Sequence, residues 1–139
     1  MTSADRIIND PLTGQRLTFL ETAADTNGRS LRAEVELAAD GYVPRHLHIR
    51  QDEQLKVLVG SVRYRSRGED RELGPGETML VPRRRFHRVS NAGNGTARFV
   101  LEVQPARHIE QTMRLMFAMG RTLSLCAPRR PDAPGGTNS

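Results

Sequence analysis

Three imidazoles and one carboxylate stand out in this chain as groups able to do chemistry together. The stretch "RHLHIRQDE", Arg45 to Glu53, holds two histidines two residues apart and a glutamate five residues after the second. The chain has four histidines in all, so this one segment holds half of them. On a strand, alternate side chains face the same way, which places His46 and His48 side by side. Two neutral imidazoles so arranged can share a metal ion and suit Fe, Mn, Ni, Cu or Zn; a carboxylate adds a hard oxygen ligand. A third imidazole, His87, lies far along the chain in "PRRRFHRVSN" and completes the set if its strand runs beside the first. Glu53 follows a short break, "IRQD", that can carry its carboxylate round to the same ion. On spacing alone, an ordinary surface strand with two histidines reads the same way.

The elements that must position these groups read as short strands and turns. "SLRAEVEL" alternates strictly, with Leu31, Ala33, Val35 and Leu37 on one face and Arg32, Glu34 and Glu36 on the other, which predicts a half-buried strand. Asn27-Gly28 before it and Asp40-Gly41 after it are turn signals. "PRHLHI" follows, then "EQLKVLVG", in which Glu53, Leu55, Val57 and Val59 share a parity. "SVRYRS" sets Val62 and Tyr64 against Arg63 and Arg65. "GPGETMLVP" reads as a turn and a short strand, "FHRVSN" as a strand, "NAGNG" as a hairpin, and "ARFVLEVQ" as a last strand with Phe99, Leu101 and Val103 together. Evenly spaced strands with Gly-rich turns predict an all-β sandwich or barrel. After Pro105 the period lengthens: Ile109, Met113, Met116 and Phe117 predict one C-terminal amphipathic helix over about 106–120, ended by Gly120. Residues 128–139, "PRRPDAPGGTNS", are expected to be a disordered tail. Residues 1–127 are then a single domain.

Composition narrows the function classes. A chain of 139 residues can bury roughly two-thirds of its unfolded surface without staples. No apolar run approaches the ~20 residues of a membrane span, and "MTSADRIIND" lacks the pattern of a signal peptide. Cys126 is the only cysteine, so a disulfide within the chain is excluded and a reducing, cytoplasmic setting is expected. The net charge of +5 raises the question of nucleic acid. The arginines are interleaved with acids, as in "RGEDREL", and no recognisable nucleic-acid module is present, so no nucleic-acid partner is expected.

The wider spacing around the histidines resembles the cupin superfamily. Gly41, His46, His48, Glu53 and Gly60 follow its first motif, and Gly76, Pro82, His87 and Asn91 its second. The opening "DPLTGQRLTFLETAADTNG" and the helix after "VQPARHIE" resemble a group of small bacterial single-domain cupins. Two positions depart from the pattern. Gly41 is separated from His46 by four residues, one fewer than the commonest form, and Arg84 stands where the second motif has its middle glycine. If that turn needs a positive φ, Arg84 is strained.

The resemblance implies a double-stranded β-helix jelly roll holding one divalent transition-metal ion per chain (Fe, Mn, Ni, Zn or Cu) on His46, His48, Glu53 and His87. Two open positions on such an ion would polarise a carbonyl, stabilise an enolate, or with Fe or Cu bind dioxygen. Strand parity lines the interior with Leu37, Leu55, Val57, Val59, Tyr64, Leu101 and Val103. That suits a small enolic, aromatic or polyketide-like molecule. Tyr64 is the one protic group expected inside, as an acid or as filler. The expectation is therefore a metal-dependent oxidoreductase resembling the cupin dioxygenases, with a cyclase or isomerase and a non-catalytic small-molecule sensor as the alternatives. The resemblance also suggests a homodimer paired through its sheets. His108 is expected on the surface, Met113, Met116 and Met119 against the barrel or a partner, and Asn91 in a turn. Arg83, Arg84 and Arg85 form either a solvated loop or a lure for an anionic substrate. Cys126 has no neighbouring base and is not expected to be a nucleophile.

Overall fold

The computed structural model describes residues 2–126. After a 3-10 turn (Ala4–Arg6), the chain runs β1 (Ile7–Asp10), β2 (Gln15–Glu21), α1 (Ala23–Thr26), β3 (Leu31–Leu37), β4 (Tyr42–His46), β5 (Asp52–Val59), β6 (Val62–Ser66), β7 (Glu69–Leu73), β8 (Thr78–Val81), β9 (His87–Asn91), β10 (Ala97–Gln104) and α2 (Ile109–Cys126). All strand pairing is antiparallel. The larger sheet has the order β1-β2-β3-β10-β5-β8 and the smaller β4-β9-β6-β7. This is the double-stranded β-helix with one C-terminal helix that the motifs imply.

Alternation explains both sheets. One parity of β3, β5 and β10 buries Leu31, Ala33, Val35, Leu55, Val57, Phe99, Leu101 and Val103; one parity of β6 and β9 buries Val62, Tyr64 and Val89 opposite them. Each large side chain removed from water contributes about 1.5–3 kcal/mol. The other parity carries the charges, as in the Arg98–Glu34 pair across β10 and β3 at 3.6 Å.

Several expectations need correcting. Val59 shares the parity of Val57 but is 42% exposed. The β10–β5 register shifts between Arg98 and Phe99, and that irregularity turns Val59 outward. The "NAGNG" segment closes no hairpin, because β9 and β10 lie in different sheets. It is a crossover, as is the Asp40-Gly41 turn between β3 and β4. Gly41 earns its place by proximity: a Cβ there would lie 2.7 Å from the Ala38 carbonyl oxygen. Strands β1, β2 and β7 were not expected. The Leu17/Phe19 alternation in β2 carried the signal. In contrast β7, "EDREL", buries only Leu73 and forms by pairing with β6.

The helix differs in both length and facing. Gly120 does not end α2, which runs on to Cys126. A side chain at Gly120 would collide with the buried Asp10 carboxylate, so glycine there serves close packing of helix on β1. Ile109 and Phe117 are buried and Met113 partly so, at spacings of four. Met116 and Met119 lie on the exposed side with Leu115 and Leu123. No described helix is long and apolar enough to cross a membrane. The expected tail at 128–139, the end of the domain at residue 127 and the side chain of Cys126 lie outside the described residues.

Candidate metal centre

One end of the sandwich brings the four singled-out side chains together. His46 is the last residue of β4 and stands directly opposite His87, the first residue of β9. Opposed residues share a face at a Cβ separation of roughly 5 Å, and these two ring centroids are 4.2 Å apart. Spacing predicts His48 on the strand with His46, but β4 ends at His46. His48 falls in the irregular stretch 47–51, and its ring centroid still lies 5.0 Å from that of His46. The main chain holds this loop in place: the His48 carbonyl accepts a hydrogen bond from the Arg84 N–H at 2.6 Å. Glu53 comes from the opposite sheet, as the second residue of β5. One ligand atom from each of His46, His48, Glu53 and His87 lies within 4.8 Å of all the others.

Local hydrogen bonds set the imidazole tautomers. His46 Nδ1 is 2.8 Å from the Pro44 carbonyl oxygen, and His87 Nδ1 is 3.1 Å from that of Arg85. A carbonyl only accepts, so each Nδ1 carries its hydrogen and each neutral ring keeps a lone pair on Nε2. His87 Nε2 then faces Glu53 Oε2 at 3.3 Å, and His48 Nε2 faces the same oxygen at 3.5 Å. These contacts are at ion-pair distance without hydrogen-bond geometry. Glu53 Oε2 is buried with no hydrogen-bond partner. A His87 lone pair facing a buried carboxylate is repelled by it unless a cation sits between them, so the donor set fits a metal ion.

Protons compete with an ion for the same nitrogens. Burial opposes ionisation of Glu53, but the His48 and His87 imidazoles outweigh it and hold the carboxyl well below its usual range. His46 is pushed down by burial and then by His87 beside it. His87 is moved up: burial opposes its charge, and Glu53 more than offsets that. Glu53 and His87 are buried while His46 and His48 keep partial exposure, so the cluster opens to solvent beside the 47–51 loop.

Tyr64 lies inside, as parity predicts. Its ring stacks on His87 with centroids 5.9 Å apart and 20° between planes. The residue is 0% exposed and its hydroxyl has no hydrogen-bond partner. Burial raises the hydroxyl pKa, keeping it protonated as a donor. Asn91 is the last residue of β9 and braces the turn after it: its amide donates to the Leu37, Ala38 and Gly95 carbonyls, at 3.2, 3.0 and 2.7 Å, and its side-chain oxygen accepts from Gly93 N–H. It ties β9 to the end of β3, away from the donors. His108 is exposed and apart from the cluster. Arg84 adopts φ 65°, so the turn does need the left-handed conformation. An L-residue there costs about 1–2 kcal/mol. Sequence reasoning missed the Pro44 and Arg85 carbonyls that orient the imidazoles, since a main-chain acceptor leaves no mark in residue type. A surface groove of about 570 Å³ lies elsewhere, on the outer face of the smaller sheet. Its Arg63 is already forked onto Asp70 at 2.8 and 2.7 Å.

Fold and donor set together define a class, and the comparisons agree with it. Residues 33–103 match the model of the cupin domain, and the chain belongs to that family. It is similar to the tetracenomycin polyketide synthase protein TcmJ of Streptomyces glaucescens, with 37% identity over 71 residues, 51% of this chain and 48% of that protein. It is also similar to germin-like protein 3-8 of Oryza sativa subsp. japonica, with 33% identity over 134 residues, 87% of this chain and 56% of that protein. The chain thus spans about half the length of these relatives. Among solved structures, KdgF from Halomonas sp. superposes with a TM-score of 0.65 at 17% identity, covering 78% of this chain and 96% of that one, a likeness of fold.

Proposed function

We propose that this chain is a metal-dependent enzyme acting on a small enolic or phenolic molecule of aromatic or polyketide-like type. The observation that carries this is the buried Glu53 Oε2, unpartnered beside imidazoles of which His46 and His87 commit their hydrogens to the main chain. His46, His48, Glu53 and His87 would hold one divalent transition-metal ion, which supplies Lewis acidity and, if redox-active, electron transfer to dioxygen. The chain's own part is to orient and to exclude water. The wall of Leu55, Val57, Leu101 and Val103 keeps the interior apolar. Tyr64 offers a protonated hydroxyl beside His87, placed to hold a ligand oxygen or return a proton. No Ser, Cys or Lys nucleophile stands among the donors, so turnover should not pass through a covalent enzyme intermediate.

An oxygenase is the first form of this reading, because three imidazoles and one carboxylate suit a redox-active ion. A cyclase or isomerase is the second, favoured by the similarity to TcmJ, a polyketide synthase protein. Fe, Mn, Ni and Zn forms, screened with enolic and phenolic substrates under air and under nitrogen, decide between them. The oxygenase form is expected to turn over only in air and only with a redox-active ion. Oxygen-independent turnover by the Zn form would replace it with the cyclase or isomerase. Full activity in His46→Ala, His48→Ala would overturn both.

We also propose that the chain forms a homodimer. Leu58 and Leu80 are exposed on the larger sheet, Leu80 at 72%, and β8 ends that sheet unpaired on one side. Light scattering at micromolar concentration is expected to give twice the chain mass; a monomer mass would refute the pairing.

A further inference from the structure

We propose that Arg84 binds an anionic group, a carboxylate in particular, on the molecule that reaches the His46–His48–Glu53–His87 cluster. This rests on the metal-centre reading and adds a substrate class to it. Position is the first argument. The Arg84 N–H is bonded to the His48 carbonyl at 2.6 Å, so the residue stands in the β8–β9 turn beside the 47–51 loop, where the cluster meets solvent.

Charge is the second. Arg83 pairs with Asp52 at 3.2 Å and Arg85 with Glu69 at 3.6 Å. Among the described residues Arg84 makes no ion pair, and neither does Arg50 on the facing 47–51 loop. Two exposed guanidinium groups at one opening favour an arriving anion. The centre itself agrees: a divalent ion with three neutral imidazoles and one carboxylate keeps a net charge of about +1.

Backbone conformation is the third. Arg84 holds φ 65°, where glycine would sit without strain. Of the other non-glycine residues with positive φ, Asn27 and Asp40 are types that tolerate it, and Arg107 lies in the turn leading into α2. Only Arg84 adjoins a donor loop. Strain kept beside a site calls for a role of the side chain. A planar guanidinium grips a carboxylate with two parallel hydrogen bonds, which an ammonium or an amide does not reproduce.

The test uses zinc-loaded full-length protein and two probes differing by one carboxylate, catechol and 3,4-dihydroxybenzoate, titrated calorimetrically. The wild type is expected to bind 3,4-dihydroxybenzoate about tenfold more tightly than catechol, with the margin shrinking in high salt. Arg84→Gln and Arg84→Gly should bring the ratio close to one, with zinc content and catechol affinity unchanged. Arg84→Gly should also melt at a higher temperature than the wild type. A zinc-loaded wild type that binds the two probes equally, or binds neither, overturns the inference, as does an Arg84→Gln variant that keeps the preference. A wild type that takes up no zinc overturns the metal-centre reading itself and this inference with it.

Discussion

Replacing His48 by alanine is expected to strip this protein of its metal. Wild type supplied with a divalent transition metal should hold up to one ion per chain by elemental analysis. Losing a partner of a metal ligand typically weakens binding by about 10–100-fold, and losing the ligand itself should exceed that. His48 lies on a loop and its side chain is not part of the core cluster, so the variant should keep the fold and its far-ultraviolet circular dichroism. Glu53→Gln is the sharper companion. It keeps the buried shape while removing the negative charge that would meet the ion beside the His48 and His87 Nε2 atoms. Acid should mimic both. Glu53 raises the proton affinity of His87 above that of an ordinary histidine, so protons compete for the site and occupancy should fall as pH falls. Metal-supplemented wild type that holds no ion would end the metal-centre reading.

Phe99→Ala should be the most destabilising of the simple core truncations. Phe99 is 1% exposed on β10, the strand flanked by β3 and β5. Deleting a buried aromatic ring from such a site costs about 3–5 kcal/mol, part transfer and part cavity. For a domain of this size that lowers the melting temperature on the order of 10 °C or more. Urea unfolding followed by circular dichroism measures it. A loss below about 1 kcal/mol would mean that the two sheets close over the vacancy, contrary to the dense packing expected of such a core.

The strands that alternate cleanly were legible because one face of each is buried and the other wet. Leu31 to Leu37 and Phe99 to Val103 state their facing in residue type alone. The four donors were legible through the motif spacing, and their convergence depended on β4 lying beside β9, which their register bears out. What stayed hidden was decided by pairing. Val59 obeys the parity rule locally and loses to a register shift set by its neighbour. Gly120 looks like a helix stop until Asp10 is seen packed against it. The "NAGNG" turn carries a hairpin signal, yet the strand it leads into pairs with β3 and β5 in the other sheet. His48 left the strand because β4 ends at His46, and nothing in "HLH" marks that end.

Glu53 belongs to one sheet, and His46 and His87 to the other. An ion gripping all of them would therefore act as a rivet through the sandwich, and its affinity becomes a gauge of how firmly the two leaves are closed. The full grip then forms only after the leaves have met, since the smaller sheet and its loop supply the three imidazoles and the larger sheet the carboxylate. Saturation at a hundred times the dissociation constant would add about 2.7 kcal/mol to the closed state. By the same coupling, a variant such as Phe99→Ala should release metal more easily although it touches no donor.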